Sequence, residues 1–447
     1  MKSRTLIGTI AASLFAALAA HQSAAQEQQP KISQTHYYVF DLGTSLGGTS
    51  SGASSINNPG WIAGGANLSG NTAVHAVLWL GAPIDLGTLG GPNSNIAWPN
   101  KNNTGELVGI AETADIDPLG ENWSCSAFFP TVTGHVCLGF AWENGVMSAL
   151  PTLGGNNGYA TGVNNRGQVV GWAENATHDP TCVPPQVLQF EAVIWGPRLG
   201  QLQELPPLAG DLDGAATAIN NKGQVVGISG TCDNAVGEFT AAHALLWDNG
   251  KPINIGNLGG VAWNTPTAIN NQGQVVGFSD LPGDESGAPN YHAFLWTKAH
   301  GIQDLGTLPG DVYSAAFGIN EQGQIVGQSI SAGFASSRAF IWQNGKMTDL
   351  STLIQSGSTL SPLYANDIND RGELVGQAYD SGTGDTPAFL ATPTLNGIAA
   401  EAASSTSHGK NDTTGIVLPE NIREQLLRRS GLGALSSWTP HRTTEQH

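Results

Sequence analysis

The residues of this chain that could bind a ligand or catalyse a reaction are acidic and aromatic side chains. They lie in variable segments that separate apolar segments. A carboxylate beside an aromatic ring can bind a sugar, through hydrogen bonds to hydroxyls and stacking on the sugar face, and several carboxylates together can hold calcium. The alternative is that these groups are unrelated charges on solvated loops. The candidates for ligand binding are Asp115, Asp117, Glu121, Trp123, Asp179, Asp211, Asp213, Asp280, Asp284, Glu285, Tyr291, Asp311 and Tyr313.

Catalysis has little support in the sequence. No motif for nucleophilic hydrolysis, phosphate binding, zinc or dinucleotide chemistry stands out. The same carboxylates could pair as they do in glycosidases, which leaves a glycan-degrading hydrolase or lyase as an alternative. We therefore predict no catalytic residue and no required cofactor, with calcium as a metal ion that the acidic segments could hold.

A recurring histidine fits a structural role better than that of a catalytic base. It begins an apolar strand in several copies of a repeated unit, and an acidic or amide residue follows at a similar distance. On a hairpin the two positions point to the same side, so each copy could form its own polar contact between strands. The expected pairs are His75 with Asp85, His243 with Asn254, His292 with Asp304, and Arg338 with Asp349.

These residues belong to a unit that the chain repeats seven times. Each copy has a turn of the type Asn-Asn-x-Gly, an apolar strand ending in Gly, a strand such as Ala-Phe-Leu-Trp, and a segment such as Asp-Leu-Gly-Thr-Leu. The turn glycines are 45 to 62 residues apart, which is the period of a propeller blade. They are Gly60, Gly105, Gly167, Gly223, Gly273, Gly323 and Gly372.

Each copy predicts one antiparallel blade with strands A, B, C and D. In the clearest copy these are residues 267–270, 274–277, 292–296 and 302–305. Strand A has small residues and should line the central axis. The tryptophan of strand C should pack between blades. It recurs as Trp79, Trp142, Trp195, Trp247, Trp296 and Trp342.

Loop lengths predict which face carries function. Because strands alternate in direction, B–C and D–A loops emerge on one face and the tight turns on the other. The length variation falls in the B–C loops, and long variable loops on a rigid ring are the usual place for binding. We therefore expect the ligand on the B–C face.

The seventh copy lacks strand D, and the opposite end of the chain can supply it. No strand pattern follows Ala391, whereas residues 38–42 have the strand D pattern and precede the first copy. Pairing the two would remove exposed sheet edges that invite aggregation. The predicted fold is all-β, a seven-bladed β-propeller of four-stranded antiparallel blades, closed by an N-terminal strand that completes the last blade.

The repeat resembles the extracellular HAF-repeat family, named for the triplet that stands here as His292-Ala293-Phe294. The resemblance covers about residues 37–394 and implies a propeller-like fold, but no established activity. Two copies depart from the triplet. The second has Gly139-Phe140-Ala141 and the third has Glu191-Ala192-Val193.

The chain has four cysteines, and an even number of cysteines in an exported protein suggests that they pair as disulfides. Four cysteines allow three pairings. We favour Cys125 with Cys137 and Cys182 with Cys232, since the last two fall in B–C segments of adjacent blades. The cysteines lack the close pairing that zinc sites use.

The ends of the chain differ from the repeats. Residues 1–25 have a basic start, an apolar run and small residues, which is typical of a secretory signal peptide. Residues 37–394 form the propeller, and residues 395–447 are a low-complexity tail with a short amphipathic helix near 418–429. No other apolar stretch is long enough to span a bilayer.

A net charge of −18 argues against nucleic acid as a partner. The sequence favours a secreted protein, extracellular or periplasmic, that binds without catalysis at or outside the cell surface. Extracellular polysaccharide is the leading ligand, and an envelope protein is another partner to consider. A purely structural envelope protein is a further alternative.

Overall fold

The repeated units fold into seven four-stranded antiparallel sheets, which form a seven-bladed β-propeller in a computed structural model. The described residues are 35–394, except 122–124, 126, 199, 233–237 and 284–289, together with Arg423. The predicted signal peptide and nearly all of the tail lie outside them. No helix in this described part has the length and apolar character needed to cross a bilayer.

Six blades each take four consecutive strands. Blade 1 contains β2 (Gly47–Ile56), β3 (Ile62–Leu68), β4 (Val74–Leu80) and β5 (Ala82–Asp85). Blade 2 contains β6 (Gly90–Asn95), β7 (Leu107–Ile116), β8 (His135–Glu143) and β9 (Val146–Ala149). Blade 3 contains β10 (Gly154–Val163), β11 (Val169–His178), β12 (Leu188–Trp195) and β13 (Leu202–Leu205).

The next three blades follow the same order, with short 3₁₀ helices in their loops. Blade 4 contains β14 (Asp213–Ile219), β15 (Val225–Gly230), β16 (His243–Asp248) and β17 (Lys251–Asn254). Blade 5 contains β18 (Thr265–Ile269), β19 (Val275–Asp280), β20 (Tyr291–Thr297) and β21 (Gly301–Asp304). Blade 6 contains β22 (Tyr313–Ile319), β23 (Ile325–Ile330), β24 (Ser337–Gln343) and β25 (Lys346–Asp349). The 3₁₀ helices are Glu238–Ala241, Ala332–Phe334 and Leu350–Leu353.

Blade 7 joins the two ends of the ring. It contains β26 (Leu360–Ile368), β27 (Leu374–Asp380) and β28 (Ala388–Pro393), and its outermost strand is β1 (Tyr37–Gly43). Strand β1 runs antiparallel to β28, with Phe40 opposite Leu390. The predicted closure is confirmed.

A glycine at the third position of each strand B allows the inner strands to pack closely. A Cβ atom on Gly227 would lie 2.1 Å from the carbonyl oxygen of Ala215 on β14, and one on Gly376 would lie 2.0 Å from that of Tyr364 on β26. A side chain there would force the two strands apart. The glycine is therefore a packing requirement in each blade.

The recurring tryptophans pack between blades, as predicted. Trp79 of blade 1 shares a buried cluster with Val375 and Ala388 of blade 7. The indole nitrogens of Trp195 and Trp247 donate to the carbonyl oxygens of Pro151 and Pro206, at 2.8 and 2.7 Å. These side chains belong to the scaffold.

The first asparagine of each Asn-Asn-x-Gly turn links its blade to the next. Its Nδ2 donates to the backbone oxygen of the equivalent asparagine, as from Asn220 to Asn270 at 3.0 Å. Its Oδ1 accepts backbone N–H groups of its own turn, from Lys222 and Gln224 in blade 4. The links close on themselves through Asn57, Asn102, Asn164, Asn220, Asn270, Asn320 and Asn369. We call this the first ring.

The second residue of the turn forms another closed circle, the second ring. Its backbone N–H donates to the side chain of the equivalent residue in the next blade, as from Asn221 to Asn271 Oδ1 at 2.8 Å. The members are Asn58, Asn103, Asn165, Asn221, Asn271, Glu321 and Asp370. The motif that predicts a hairpin turn thus also joins all seven blades around the axis.

Candidate functional site

Two disulfides lie on the B–C face at blades 2 to 4. Cys125 bonds to Cys137 within blade 2, and Cys182 bonds to Cys232 between blades 3 and 4. Both predicted pairings are confirmed, although Cys137 lies in β8 itself. The disulfides share one buried cluster with aromatic side chains from the same blades.

Aromatic contacts fill the core beneath these disulfides. Phe128 meets Tyr159 edge to face at 4.8 Å, and Trp172 packs on Phe190 at 5.7 Å. Tyr159 and Trp172 are fully buried. These rings support the loops from within.

Two predicted ligand-binding acids of blade 2 also hold loops together. Asp117 accepts backbone N–H groups from Leu119 and Gly120, both at 2.8 Å, and its other oxygen accepts from Asn157 Nδ2 at 2.8 Å. Glu121 accepts the backbone N–H groups of Val187 and Leu188, at 2.9 and 2.6 Å. Both carboxylates are buried.

Glu174 on β11 lies close to Glu121 in this buried region, and Gln186 Nε2 contacts both carboxylates, at 3.0 and 3.5 Å. Burial raises the pKa of Glu174 to about 8, the charge of Glu121 adds to the rise, and hydrogen bonds from Gln186, Asn157 and Asn156 oppose it. Burial also raises the pKa of Glu121. Shifted carboxyls can mark catalytic sites, but Glu121 and Glu174 both have 0% of their surface exposed, which keeps a polysaccharide away from them.

Blade 3 replaces the recurring histidine with Glu191. Burial raises the pKa of Glu191 to about 8, and the charges of Glu204 and Asp213 add to the rise. Burial also raises the pKa of Asp213 to about 7, although it accepts the N–H of Phe190 at 3.0 Å. Blades 1, 5 and 6 pair a histidine or an arginine with an acid, whereas blade 3 has two acids, Glu191 and Glu204, at the equivalent positions.

The remaining acids of blades 3, 4 and 6 have partners in the scaffold. Burial would raise the pKa of Asp179, but hydrogen bonds from Thr181 and Gln189 lower it. Asp211 Oδ2 lies 2.8 Å from His243 Nδ1. Asp311 pairs with Arg338 at 2.8 Å.

Three of the four expected cross-strand pairs are present. His75 contacts Asp85 at 2.9 Å, His292 contacts Asp304 at 3.0 Å, and Arg338 contacts Asp349 at 3.1 Å. The fourth expectation was wrong, because His243 turns to Asp211 in the D–A loop instead of to Asn254. An acidic partner is a stronger acceptor than the amide oxygen of Asn254.

Blades 5 and 6 carry a row of aromatic rings on the B–C face. Tyr291 packs against Phe278 at 5.1 Å and against Tyr313 at 5.8 Å. Tyr313 stacks on Phe334 at 5.0 Å with 14° between the ring planes. Tyr291 is buried, whereas Phe278, Tyr313 and Phe334 are partly exposed. We call these four residues the aromatic row.

The structure thus brings together two predicted ligand-binding residues, Tyr291 and Tyr313, and adds Phe278 and Phe334. Asp280 lies at the end of β19 beside them, is fully buried, and accepts the N–H of Asn290 at 3.1 Å. Asp115 is exposed at the end of β7. Trp123, Asp284 and Glu285 lie outside the described residues.

One group of potential metal ligands occurs in the described part of the chain, formed by Glu112, Cys125 and Cys137. Both cysteines are in a disulfide and cannot act as thiolate ligands. Glu112 accepts hydrogen bonds from Asn93 and Thr133. This group is therefore a poor metal site.

A pocket of about 530 Å³, partly open to solvent, lies on the axis at the opposite face, within the two rings. Its polar lining includes Lys101, Asn103, Asn221, Glu321 and Asp370. Sequence reasoning missed this pocket because the tight turns are the most regular part of the repeat. Aligning the seven copies would have found it, since Lys101 stands where five blades have isoleucine.

Lys101 forms an ion pair across the axis. Its ammonium donates to the buried Asp367 carboxylate and to the carbonyl oxygen of Ile368 at 2.9 Å. The contact joins blade 2 to blade 7 and passes over blade 1. Burial raises the pKa of Asp367, while Lys101 and two backbone N–H groups oppose the rise.

No family model matches the chain, and no curated protein sequence matches it. Among solved structures, the chain is similar to an acylaminoacyl peptidase from Pyrococcus horikoshii, with a TM-score of 0.46, 9% identity, and coverage of 80% of this chain and 54% of the peptidase. It is also similar to the β-propeller domain of the trilobed protease from Pyrococcus furiosus, which has an open velcro topology (TM-score 0.39, 12% identity, 66% and 82% coverage). A third is dipeptidyl peptidase 4 from Porphyromonas gingivalis (TM-score 0.32, 11% identity, 78% and 45% coverage).

The chain spans about half the length of the acylaminoacyl peptidase and of dipeptidyl peptidase 4. At such low identity, the likeness is one of fold.

Proposed function

We propose that this protein is an exported binding module that holds an extracellular carbohydrate on the B–C face of blades 5 and 6. The aromatic row is the observation that carries the proposal. It combines side chains from two blades, and three of its four rings are partly exposed. Aromatic faces stack on the apolar faces of sugar rings.

Non-catalytic binding is favoured by the state of the carboxylates. Among the described candidates, Asp117, Glu121, Asp213 and Asp280 are buried, Asp211 contacts His243, and Asp311 pairs with Arg338. A glycosidase needs two carboxyl groups that flank an accessible bond. The two disulfides and the predicted signal peptide favour export, and the repeat favours membership of the HAF-repeat family.

The first experiment exposes the purified chain from Gln26 to His447 to a panel of insoluble polysaccharides, with and without calcium. Retained protein and newly released chain ends are measured together. We expect retention without release, and we expect Tyr313→Ala and Phe334→Ala to lower retention at least about tenfold, which corresponds to about 1.4 kcal/mol.

Phe40→Ala is the matched control, because Phe40 is an aromatic residue on β1 that is 51% exposed, away from the aromatic row. Equal retention of all three variants would contradict the proposed surface. Release of chain ends would establish the hydrolase or lyase alternative. Absence of both signals would favour a structural envelope protein, and retention that depends on calcium would show that the acidic segments hold the metal.

A further inference from the structure

The axial pocket departs from the repeat at two positions that meet in space. The residue before each first-ring asparagine is isoleucine in five blades and valine in another, but it is Lys101 in blade 2. One residue earlier, blades 3 to 6 have only glycine or alanine, but blade 7 has Asp367. A regular scaffold would have apolar or small residues at both positions. The lysine in blade 2 and the aspartate in blade 7 therefore distinguish this pocket from the rest of the repeat.

The ion pair leaves hydrogen-bonding capacity at the pocket. Lys101 has three N–H groups, of which two bond to Asp367 and Ile368. Its side chain lines the pocket and is 29% exposed. The lysine is therefore held in place and can still donate to a ligand.

The rim of the pocket offers further donors and acceptors. Asn103 and Asn221 use their Oδ1 atoms in the second ring, and within the described residues their Nδ2 groups have no partner. Glu321 uses Oε1 for Asn271, which leaves Oε2 to accept. Isoleucines line the same pocket and supply apolar surface, as Ile219, Ile269 and Ile319 do.

We propose that this axial pocket binds a small neutral polyhydroxyl ligand, such as one sugar ring or a cyclitol. A hydroxyl group can accept from Lys101 or an asparagine and donate to Glu321, whereas its C–H faces can contact isoleucine. An anion would be repelled by the carboxylates of Glu321 and Asp370, and a cation would be repelled by the ammonium group of Lys101.

This proposal goes beyond the function proposed above. The pocket lies on the opposite face from the aromatic row, and it shares no residue with it. Either site can therefore bind without the other.

The test measures binding to the full-length exported chain by saturation-transfer NMR and calorimetry. The probes are D-glucose, D-galactose and myo-inositol, with sodium acetate and calcium chloride as the anionic and cationic alternatives. The pocket variant is Lys101→Ile combined with Asp367→Asn. Isoleucine is the common residue at the first position, and asparagine keeps an oxygen for the N–H of Ile56, which now donates to Asp367 at 2.9 Å.

A second variant, Glu321→Asn, restores the asparagine that five blades have in the second ring and keeps the test open should the double variant fail to fold. We expect at least one polyol to bind, and at least a tenfold loss of affinity in the pocket variants with little change in Tm. Tyr313→Ala should leave this binding unchanged.

Three results would overturn the proposal. They are binding of acetate or calcium in place of the polyols, absence of binding by every probe, and polyol binding that survives in both pocket variants. If polyol binding were lost only with Tyr313→Ala, the axial proposal would fail while the aromatic row would be supported.

Discussion

At the scale of single residues, most candidate acids serve the scaffold, and burial is the reason. Asp117 accepts hydrogen bonds within its own loop and one from Asn157 of blade 3, and Glu121 accepts two from blade 3. A buried carboxylate without such donors would be strongly destabilising. The acids that the sequence suggests as ligand-binding residues are thus the ones that position the long loops.

Glu191 provides a test of how these acids affect stability. Its folded pKa is about 8, above the ordinary value of 4.5, because of burial and the charges of Glu204 and Asp213. A raised carboxyl pKa contributes stability that is fully present below about pH 4.5 and is lost as the pH rises through about 8.

We predict that Glu191→Gln reduces this loss, so that the free energy of unfolding at pH 9 increases by about 2 kcal/mol relative to wild type, with a much smaller difference at pH 4. Urea denaturation at both pH values measures it. The same offset at pH 4 and pH 9 would show that the carboxyl is not the cause.

His292 tests whether the recurring histidine is structural. Its contact with Asp304 is partly exposed, so we predict that His292→Ala lowers the unfolding free energy by about 0.5–1 kcal/mol. Retention on polysaccharide should be unchanged. Loss of retention without loss of stability would assign the histidine to ligand binding.

At the scale of the structural element, the tight turn does more than reverse the chain. The first asparagine caps its own turn with Oδ1 and bonds to the next blade with Nδ2. The second residue accepts a bond from the blade before it. Two adjacent side chains thus connect each hairpin to both of its neighbours.

Asn220→Asp separates these two roles, because it keeps the capping oxygen and removes the donor to Asn270. We predict a loss of about 1–3 kcal/mol in unfolding free energy, since the buried carbonyl of Asn270 keeps only the N–H of Gly273 as a donor and the new carboxylate faces its oxygen. Asn144→Asp, in an exposed turn of blade 2, is the control and should be close to neutral. Equal effects of the two changes in thermal unfolding would show that the first ring adds no stability.

The sequence predicts the tight turn itself, but it does not predict the hydrogen bonds that join the turn to neighbouring blades. Asn-Asn-x-Gly indicates a hairpin through the properties of a single turn, and the seven copies make the blade and its order clear. The rings and the Lys101–Asp367 contact depend on residues 45 or more positions apart. The burial of Glu121 is also hidden, since it depends on contacts with the loop of blade 3.

At the scale of the whole molecule, closure by β1 makes the propeller one cooperative unit. Strand β1 is the outer strand of blade 7, and Tyr37 belongs to the buried cluster that includes Phe389 and Leu353. We predict that deletion of residues 37–42 causes aggregation or loss of a single cooperative unfolding transition, because the edge of β28 becomes exposed. Differential scanning calorimetry and light scattering measure this.

Deletion of residues 26–31, which precede β1, is the control for shortening the chain. If the chain without residues 37–42 melted like its parent, closure by β1 would not be needed for the stability of the ring.

Both rings run in a single direction, since each blade donates to the next one around the circle until blade 7 donates to blade 1. Nothing in this circuit marks a first blade. The two ends of the circle already touch, because the N–H of Thr394 donates to the carbonyl oxygen of His36 at 2.8 Å. A circular permutant that joins these ends through a short linker, and opens instead at a B–C loop, would retain every bond of both rings. The two rings therefore do not depend on which blade comes first in the chain.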